Sequence, residues 1–151
     1  MNLNKASRYG LSAVVMMAQR QDELITAARV AETNLVSENH VAKVLQQLAR
    51  AGIVRSVRGA SGGYQLAKNP RELTMLEVVE ALEGPVRSKC GGCEMVEGPA
   101  DTECVHYHRC SIRAVMEEMA EQAYYTMKSV TVATLAKGPQ SGVEGALERR
   151  L

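Results

Sequence analysis

The chain contains no tryptophan and no phenylalanine, and its five tyrosines are its only aromatic residues. A folded core must therefore be aliphatic, built from Leu, Val, Ala and the eight Met, and 46% of the 151 residues are hydrophobic. No apolar run approaches the ~18 residues of a membrane span. The N-terminus, Met1-Asn-Leu-Asn-Lys5, is not a signal peptide. We therefore expect a cytoplasmic protein, with one domain plus an appendage and no membrane partner.

Motifs of the common enzyme classes are also missing. No glycine-rich nucleotide fingerprint follows a predicted strand, and no Ser/His/Asp arrangement stands out. The segment Gly59-Ala-Ser-Gly-Gly63 lacks the lysine and the following helix of a phosphate-binding loop. The sequence therefore predicts a protein that is not an enzyme and has no small-molecule substrate.

Cysteine is absent from the chain except in one short segment. All four cysteines form the pattern C-x2-C-x10-C-x5-C, at Cys90, Cys93, Cys104 and Cys110. The segment is rich in glycine and acidic residues, so it cannot bury its thiols in a core of its own. In a reducing compartment such a cluster indicates a metal or redox site rather than a disulfide scaffold. Spacing alone does not separate zinc from an iron–sulfur cluster or a metal-free thiol switch.

The net charge of +1 conceals an asymmetry between the two halves of the chain. Residues 1–70 hold nine Lys and Arg against four Asp and Glu, whereas residues 71–151 hold nine against thirteen. A basic N-terminal half favours a polyanionic partner, although an excess of this size also arises by chance.

The first 70 residues have the element order of a winged helix-turn-helix. Apolar spacing predicts a helix over 3–20, and Thr26 can cap a short second helix. Ser37 can cap a third helix, and Gly52 stands where a glycine commonly follows a helix end. Two β-prone runs around a glycine-rich loop then predict a hairpin, or wing. We expect a mainly α fold with this small β-hairpin wing.

The candidate DNA-contacting residues lie on the third helix and the wing. The first residues of a recognition helix enter the major groove, where Asn39 can pair with adenine and Lys43 can reach a guanine or a phosphate. Arg55 and Arg58 flank the hairpin and suit phosphate or minor-groove contact. An ordinary solvated surface is the alternative for each residue taken singly. The predicted set is Arg8, Ser37, Glu38, Asn39, His40, Lys43, Arg55, Arg58, Gly59, Ser61 and Gly62.

The C-terminal half predicts two more helices. Thr74 and Glu77 form a capping box that opens a helix ending at Gly84-Pro85. A longer helix runs from Ser111 to about Val130, and its seam of apolar spacing indicates a dimer, or packing on the chain's own domain. The seam is Ile112, Met116, Met119, Ala123, Thr126 and Val130. The expected parts are a DNA-binding domain (1–84), a cysteine loop (85–110), a dimerisation helix with a short segment (111–137) and a disordered tail (138–151).

Three segments resemble the IscR/NsrR-type winged-helix repressors. They are the opening Met1-Asn-Leu-Asn-Lys-Ala-Ser-Arg-Tyr-Gly10, the wing Ser56-Val-Arg-Gly-Ala-Ser-Gly-Gly-Tyr-Gln-Leu66, and Val78-Val-Glu-Ala-Leu-Glu-Gly-Pro85 before the cysteines. The resemblance covers about residues 1–136. It implies a homodimer that binds palindromic promoter DNA, with binding tuned by an iron–sulfur cluster that senses iron–sulfur status, redox state or nitric oxide.

The resemblance also implies three cluster ligands, which correspond to Cys90, Cys104 and Cys110. The family's fourth ligand is either a histidine three residues after the last cysteine, where this chain has Arg113, or an acidic residue near the start of the partner's first helix, where it has Arg8. Cys93 is the expected substitute here, with His106, His108 or a partner-chain residue as alternatives.

The resemblance favours an iron–sulfur cluster. Between the two cluster types, we expect 2Fe–2S rather than 4Fe–4S. The alternatives are the same DNA-binding fold with a thiol switch or a structural zinc, and, from another class, an iron–sulfur electron-transfer module.

Overall fold

The computed structural model describes residues 3–86 and 111–138. Within them, helices surround an aliphatic core and one antiparallel hairpin lies at the edge, which confirms the predicted mainly α winged helix-turn-helix with a long C-terminal helix. The elements are α1 Lys5–Gln19, α2 Ala27–Asn34, α3 Glu38–Arg50, β1 Val54–Val57, β2 Gly63–Leu66, α4 Met75–Glu83, α5 Ser111–Ser129 and α6 Val132–Ala136.

Helix α1 begins where Asn4 caps it, its side-chain oxygen accepting from the Ser7 backbone N–H at 2.8 Å. Its inner face carries Ala13, Val14 and Met17, which are fully or almost fully buried. Gly10 lets α4 approach closely, because a Cβ there would collide with Leu82. Helix α1 contacts α2, α3, β2, α4 and α6, so it is the centre of the core.

The helix-turn-helix consists of α2 and α3. The predicted Thr26 cap is confirmed, since its hydroxyl oxygen accepts from the Arg29 backbone N–H at 3.2 Å. Helix α2 ends at Leu35, which has a left-handed backbone (φ 54°), and the Asn34 amide donates to the Ser12 hydroxyl on α1 at 2.9 Å. These contacts fix the turn against α1. Helix α3 then buries its predicted apolar stripe, Val41, Val44, Leu45 and Leu48.

The wing pairs β1 with β2 in the register Val54↔Leu66, Arg55↔Gln65, Ser56↔Tyr64 and Val57↔Gly63. It is joined to the core because Tyr64 also forms a bridge with Ile25, through backbone hydrogen bonds of 2.9 Å in both directions. The predicted glycine after α3 is confirmed: Gly52 has φ 69°, in the left-handed region that glycine tolerates best.

The predicted capping box at the start of α4 is also confirmed. Thr74 accepts from the Glu77 backbone N–H at 3.2 Å, and the Glu77 carboxylate accepts from the Thr74 backbone N–H at 2.9 Å. Lys68, just after the wing, adds an ion pair to Glu77 at 2.8 Å. One carboxylate therefore connects the end of the wing to the first turn of α4.

Helix α5 departs from the predicted seam in its C-terminal half. Thr126 is exposed and its hydroxyl donates to the Gln122 backbone oxygen, whereas Met127 is buried, with 2% exposure, against Leu76 and Val79 of α4. The prediction failed at Thr126 because α5 turns this half toward its own α4. The alternative that α5 packs on its own domain therefore holds for its C-terminal half.

A short helix that the sequence analysis did not separate, α6, follows α5 and packs on α1. Three backbone hydrogen bonds of 2.8 Å tie this region to the segment before α4: Met75 N–H to Val130 O, Val132 N–H to Leu73 O, and Ala133 N–H to Pro70 O. Leu73 and Val132 are fully buried at this junction. We call these three bonds and the two buried side chains the clamp.

Within the two described stretches, no helix is both long enough and apolar enough to cross a membrane.

The Glu77 network predicts a pH-dependent contribution to stability. The hydrogen bond from Lys68, with help from the Thr74 backbone N–H, lowers the pKa of the Glu77 carboxyl below its ordinary value. A lowered folded-state pKa stabilises the fold above the ordinary carboxyl pKa, and the contribution is lost as the pH falls through the folded-state pKa. Glu77→Gln should therefore lower the free energy of unfolding at neutral pH, by an amount that shrinks below about pH 4.

Urea unfolding of Glu77→Gln and the original chain across that pH range measures this difference. Lys68→Met is the matched variant, since it removes the partner and keeps the carboxylate. A Glu77→Gln deficit that stays the same at neutral and acid pH would show that the charge contributes nothing.

Candidate nucleic-acid interface

The recognition-helix candidates share one exposed surface at the start of α3. Ser37, Glu38, Asn39, His40 and Lys43 are all exposed, while the opposite face of α3 is buried in the core. The structure thus brings these five residues together on one helical end. A helix that presents polar side chains from its first turns has the shape that enters a major groove.

Ser37 occupies the cap position of α3, but its side chain does not bond a backbone N–H there. Its hydroxyl instead pairs with the His40 ring at 2.8 Å, from Oγ to Nδ1. The predicted cap position is therefore confirmed, but the serine hydroxyl pairs with the imidazole three residues later and not with a backbone N–H. This contact orients His40 on the exposed face of α3.

The turn before α3 exposes a residue that the sequence analysis did not select. Leu35 is 93% exposed and is the single non-glycine residue with positive φ among the described residues. Its backbone N–H bonds the Ala31 and Glu32 carbonyl oxygens, which holds the turn closed. The sequence did not predict this exposure or the positive φ, because a leucine between two helices is expected to be buried and to have negative φ.

The tip of the wing needs its glycines. Gly59 has φ 128°, which favours glycine, and the Gly62 N–H donates to the Gly59 carbonyl oxygen at 3.0 Å. A Cβ at Gly62 would collide with the Val57 backbone oxygen. Arg58, Gly59 and Ser61 are exposed around this tight turn. The tip therefore presents backbone and one arginine without bulky side chains.

Arg55 lies at the other end of the wing from Arg58. Its guanidinium donates to the Gln65 side-chain oxygen across the hairpin, at 2.9 and 3.1 Å, when that amide is oriented to accept. It also borders a cavity with Met17 and Lys68, toward the end of α1. The structure therefore groups Arg58 with the tip and Arg55 with the base of the wing.

Arg8 is exposed on the first turn of α1. The adjacent cap residue is bonded to α4, with the Asn4 backbone N–H donating to the Glu83 carboxylate at 2.9 Å. A charged cluster that was not predicted connects the turn before α2 to its first turn, where Glu23 pairs with Arg29 at 2.9 Å and with Arg20 at 4.0 Å.

The predicted metal ligands lie outside the described residues. They are Cys90, Cys93, Cys104 and Cys110, with His106 and His108. Across residues 3–86 and 111–138, no group of three or more His, Cys, Asp or Glu side chains could hold a metal ion.

Comparison with known proteins agrees with this architecture. The family model described as Rrf2, iron-dependent transcriptional regulator, matches residues 3–138. The HTH-type transcriptional regulator BadM of Rhodopseudomonas palustris is 34% identical over 137 residues, which are 91% of this chain and 82% of that protein.

Solved structures share the fold as well. The global cysteine regulator CymR of B. subtilis superposes with a TM-score of 0.71 at 27% identity, covering 91% of this chain and 97% of that one. T. potens IscR superposes with a TM-score of 0.65 over 100% of this chain and 92% of its own, and at 22% identity this likeness shows the fold alone. The chain belongs to the Rrf2 family and is a DNA-binding transcriptional regulator, not an enzyme.

Proposed function

We propose that this regulator is a homodimeric repressor that binds palindromic promoter DNA through α3 and the wing, under the control of an iron–sulfur cluster held by the cysteine segment. DNA binding is supported by one observation: the same domain exposes both the polar start of α3 and a wing tip whose tight turn requires glycine. The family's description as iron-dependent supports the cluster part.

The recognition helix supplies the base contacts in this proposal. Asn39 has an amide that can pair with an adenine edge, and Lys43 reaches guanine or phosphate from the next turn. Ser37, Glu38 and His40 complete the surface, with His40 oriented by the Ser37 hydroxyl at 2.8 Å.

The wing tip supplies backbone contacts. Gly59 and Gly62 let the main chain approach closely, Ser61 offers a hydroxyl, and Arg58 contacts a phosphate or enters the minor groove. Arg8 and Arg55 stay predicted contacts of the same kind, although Arg55 is engaged with Gln65 within the wing.

Arg58→Ala should weaken binding to duplex DNA of any sequence. Loss of one phosphate contact should also reduce the slope of log affinity against log salt by about 0.9. Fluorescence anisotropy with a labelled random-sequence duplex over a salt series measures both. Arg50→Ala, which removes an exposed cation at the far end of α3, is the matched control. An unchanged slope for Arg58→Ala would remove Arg58 from the phosphate contacts.

The N-terminal half of α5 supports the dimer. Ile112, Val115, Met116 and Met119 form one helical stripe and are exposed, with 68% exposure for Ile112 and 47% for Met116. The C-terminal half of the same helix is already packed on α4 through Met127. A contiguous apolar stripe of this kind marks an interaction surface, and a second copy of the chain is the simplest partner.

Met116→Glu places a charge in that stripe and should shift the protein from dimer to monomer. Sedimentation velocity measures the change, with Glu121→Gln on the exposed polar side of α5 as the control. A variant that keeps the mass of the unsubstituted dimer would place the dimer interface elsewhere.

The donor set of the cysteine segment fits an iron–sulfur cluster. Thiolates are the ligands that such clusters require. The chain has four cysteines between Val86 and Ser111, the two described residues that flank this segment. We propose Cys90, Cys104 and Cys110 as three ligands and Cys93 as the fourth, with His106 or His108 as the alternatives. When bound, a 2Fe–2S cluster would supply a group sensitive to redox state or nitric oxide.

The described residues offer a route from this segment to the DNA-contacting surface. Helix α5, which follows the cysteines, packs on α4 through Met127, and the clamp ties its far end to the turn that follows the wing. Movement of α5 relative to its partner copy would therefore carry α4 and the wing with it. In a dimer this alters the spacing of the two recognition helices, which half-sites about one DNA turn apart constrain.

Anaerobically purified protein should contain about two iron and two acid-labile sulfide per chain, with visible absorption. Cys104→Ala should lose the metal and change DNA affinity. Cys93→Ala should lose the metal only if Cys93 is the fourth ligand. One zinc per chain without sulfide would indicate a structural zinc site. A protein that contains no metal would favour a thiol switch. A Cys104→Ala protein without iron that binds DNA as the unsubstituted chain does would contradict the coupling.

A further inference from the structure

A groove between the end of α1, the segment after the wing and α6 has not been assigned a ligand above, and only Arg55 at one end of it belongs to the predicted DNA contacts. Its larger part, of about 640 Å³, lies between the end of α1, the turn at Asn69–Arg71 and α6. A second part of about 330 Å³ adjoins it toward the base of the wing and shares Gln21, Asn69 and Pro70. The groove thus runs from α6 to the wing.

The charged residues along this groove all have one sign. Arg71 and Lys137 line the larger part, and Arg55 and Lys68 line the smaller part. None of the lining residues is acidic. A concave surface lined by cations and lacking carboxylates attracts an anion, because the walls concentrate the positive potential.

The two parts differ in how far their cations are already engaged. Lys68 is paired with Glu77 at 2.8 Å, and Arg55 is bonded to Gln65. Arg71 and Lys137 form no ion pair with any described residue. The larger part of the groove therefore holds the available positive charge.

Asn69 adds an oriented donor to these two cations. Its side-chain oxygen accepts from the Arg71 backbone N–H at 3.0 Å, which leaves the amide nitrogen as the end that can donate into the groove. Gln19 is held on the opposite wall, where its amide donates to the Ala136 carbonyl oxygen at 3.0 Å. The polar groups are thus positioned by the fold itself.

The remaining walls are apolar and small. Ala18, Ala133, Ala136 and Pro70 line the groove beside the two cations and offer apolar surface to the carbon atoms of a ligand. Inorganic phosphate would use the cations and leave these walls unfilled. An acid with two carboxylates joined by a short carbon chain uses both, with Arg71 forming a bidentate pair and Lys137 a single one.

We propose that the groove between α1, the Asn69–Arg71 turn and α6 is a binding site for a small organic dicarboxylate. The occupied site would bridge α6 to the turn after the wing, next to the Ala133–Pro70 hydrogen bond of the clamp. An effector there would strengthen the same junction that ties α5 to the DNA-binding domain. The site requires neither DNA nor metal, so its existence does not depend on the proposed function.

Isothermal titration of the full-length protein with glutarate, in the absence of DNA, tests the site. We expect saturable binding that Arg71→Ala and Lys137→Ala each weaken roughly tenfold or more, as expected for loss of a charge-assisted bond. Arg50→Ala, which removes an exposed cation outside the groove, should leave the affinity unchanged. Thermal unfolding without ligand shows whether each variant is folded.

Three outcomes would overturn the proposal. They are heat no greater than that of sodium chloride at matched ionic strength, full affinity in a folded Arg71→Ala variant, and equal affinity for inorganic phosphate. The last outcome would reduce the groove to an unselective anion site.

Discussion

The fold depends on the burial of helix α1. Its Ala13 and Val14 are fully buried, and five other elements rest on it. In a core without phenylalanine or tryptophan, burial must come from many small aliphatic contacts, each of which contributes about 1 kcal/mol or more when a whole side chain is removed from water. Close approach makes this possible, and Gly10 provides it by admitting Leu82 of α4. Because α2, β2 and α6 all contact α1, the helix-turn-helix, the wing and the segment after α5 are fixed to the same helix.

The clamp extends that support to the C-terminal helices. Its three backbone hydrogen bonds of 2.8 Å and its two fully buried side chains make α6 part of the DNA-binding domain rather than a separate tail. The long helix α5 is then held at one end and exposes an apolar stripe at the other, next to the cysteine segment. Through these contacts, a change at the proposed cluster site could shift α5 and, with it, the segment that follows the wing. The groove proposed to bind a dicarboxylate borders α6 and the turn after the wing, so a ligand bound there would stiffen the same junction.

Local signals in the sequence predicted most of the fold. Thr26, Gly52 and the Thr74–Glu77 box act through hydrogen bonds or backbone preferences within a few residues, so they could be read directly. The sequence-based predictions failed where contacts between distant parts of the chain determine the structure. Met127 rather than Thr126 faces α4, and α6 packs where Val132 is buried beside Leu73. A five-residue helix of this kind has no periodicity long enough to predict.

The candidate DNA-binding surface was predictable for a similar reason. The polar start of α3 follows from the buried stripe on its other face, and the glycines of the wing tip follow from its tight turn. What sequence could not separate was Arg58 from Arg55, because only the strand register shows that one stands at the tip and the other at the base.

We propose that two copies of this domain bind one duplex through paired recognition helices. The most direct test is selection of bound duplexes from a random library with the anaerobically purified protein, followed by sequencing. A homodimer that binds in this way should enrich an inverted repeat whose half-site centres lie about one helical turn, or roughly 10 base pairs, apart. Enrichment of a single asymmetric site, or no enrichment over the starting library, would contradict it.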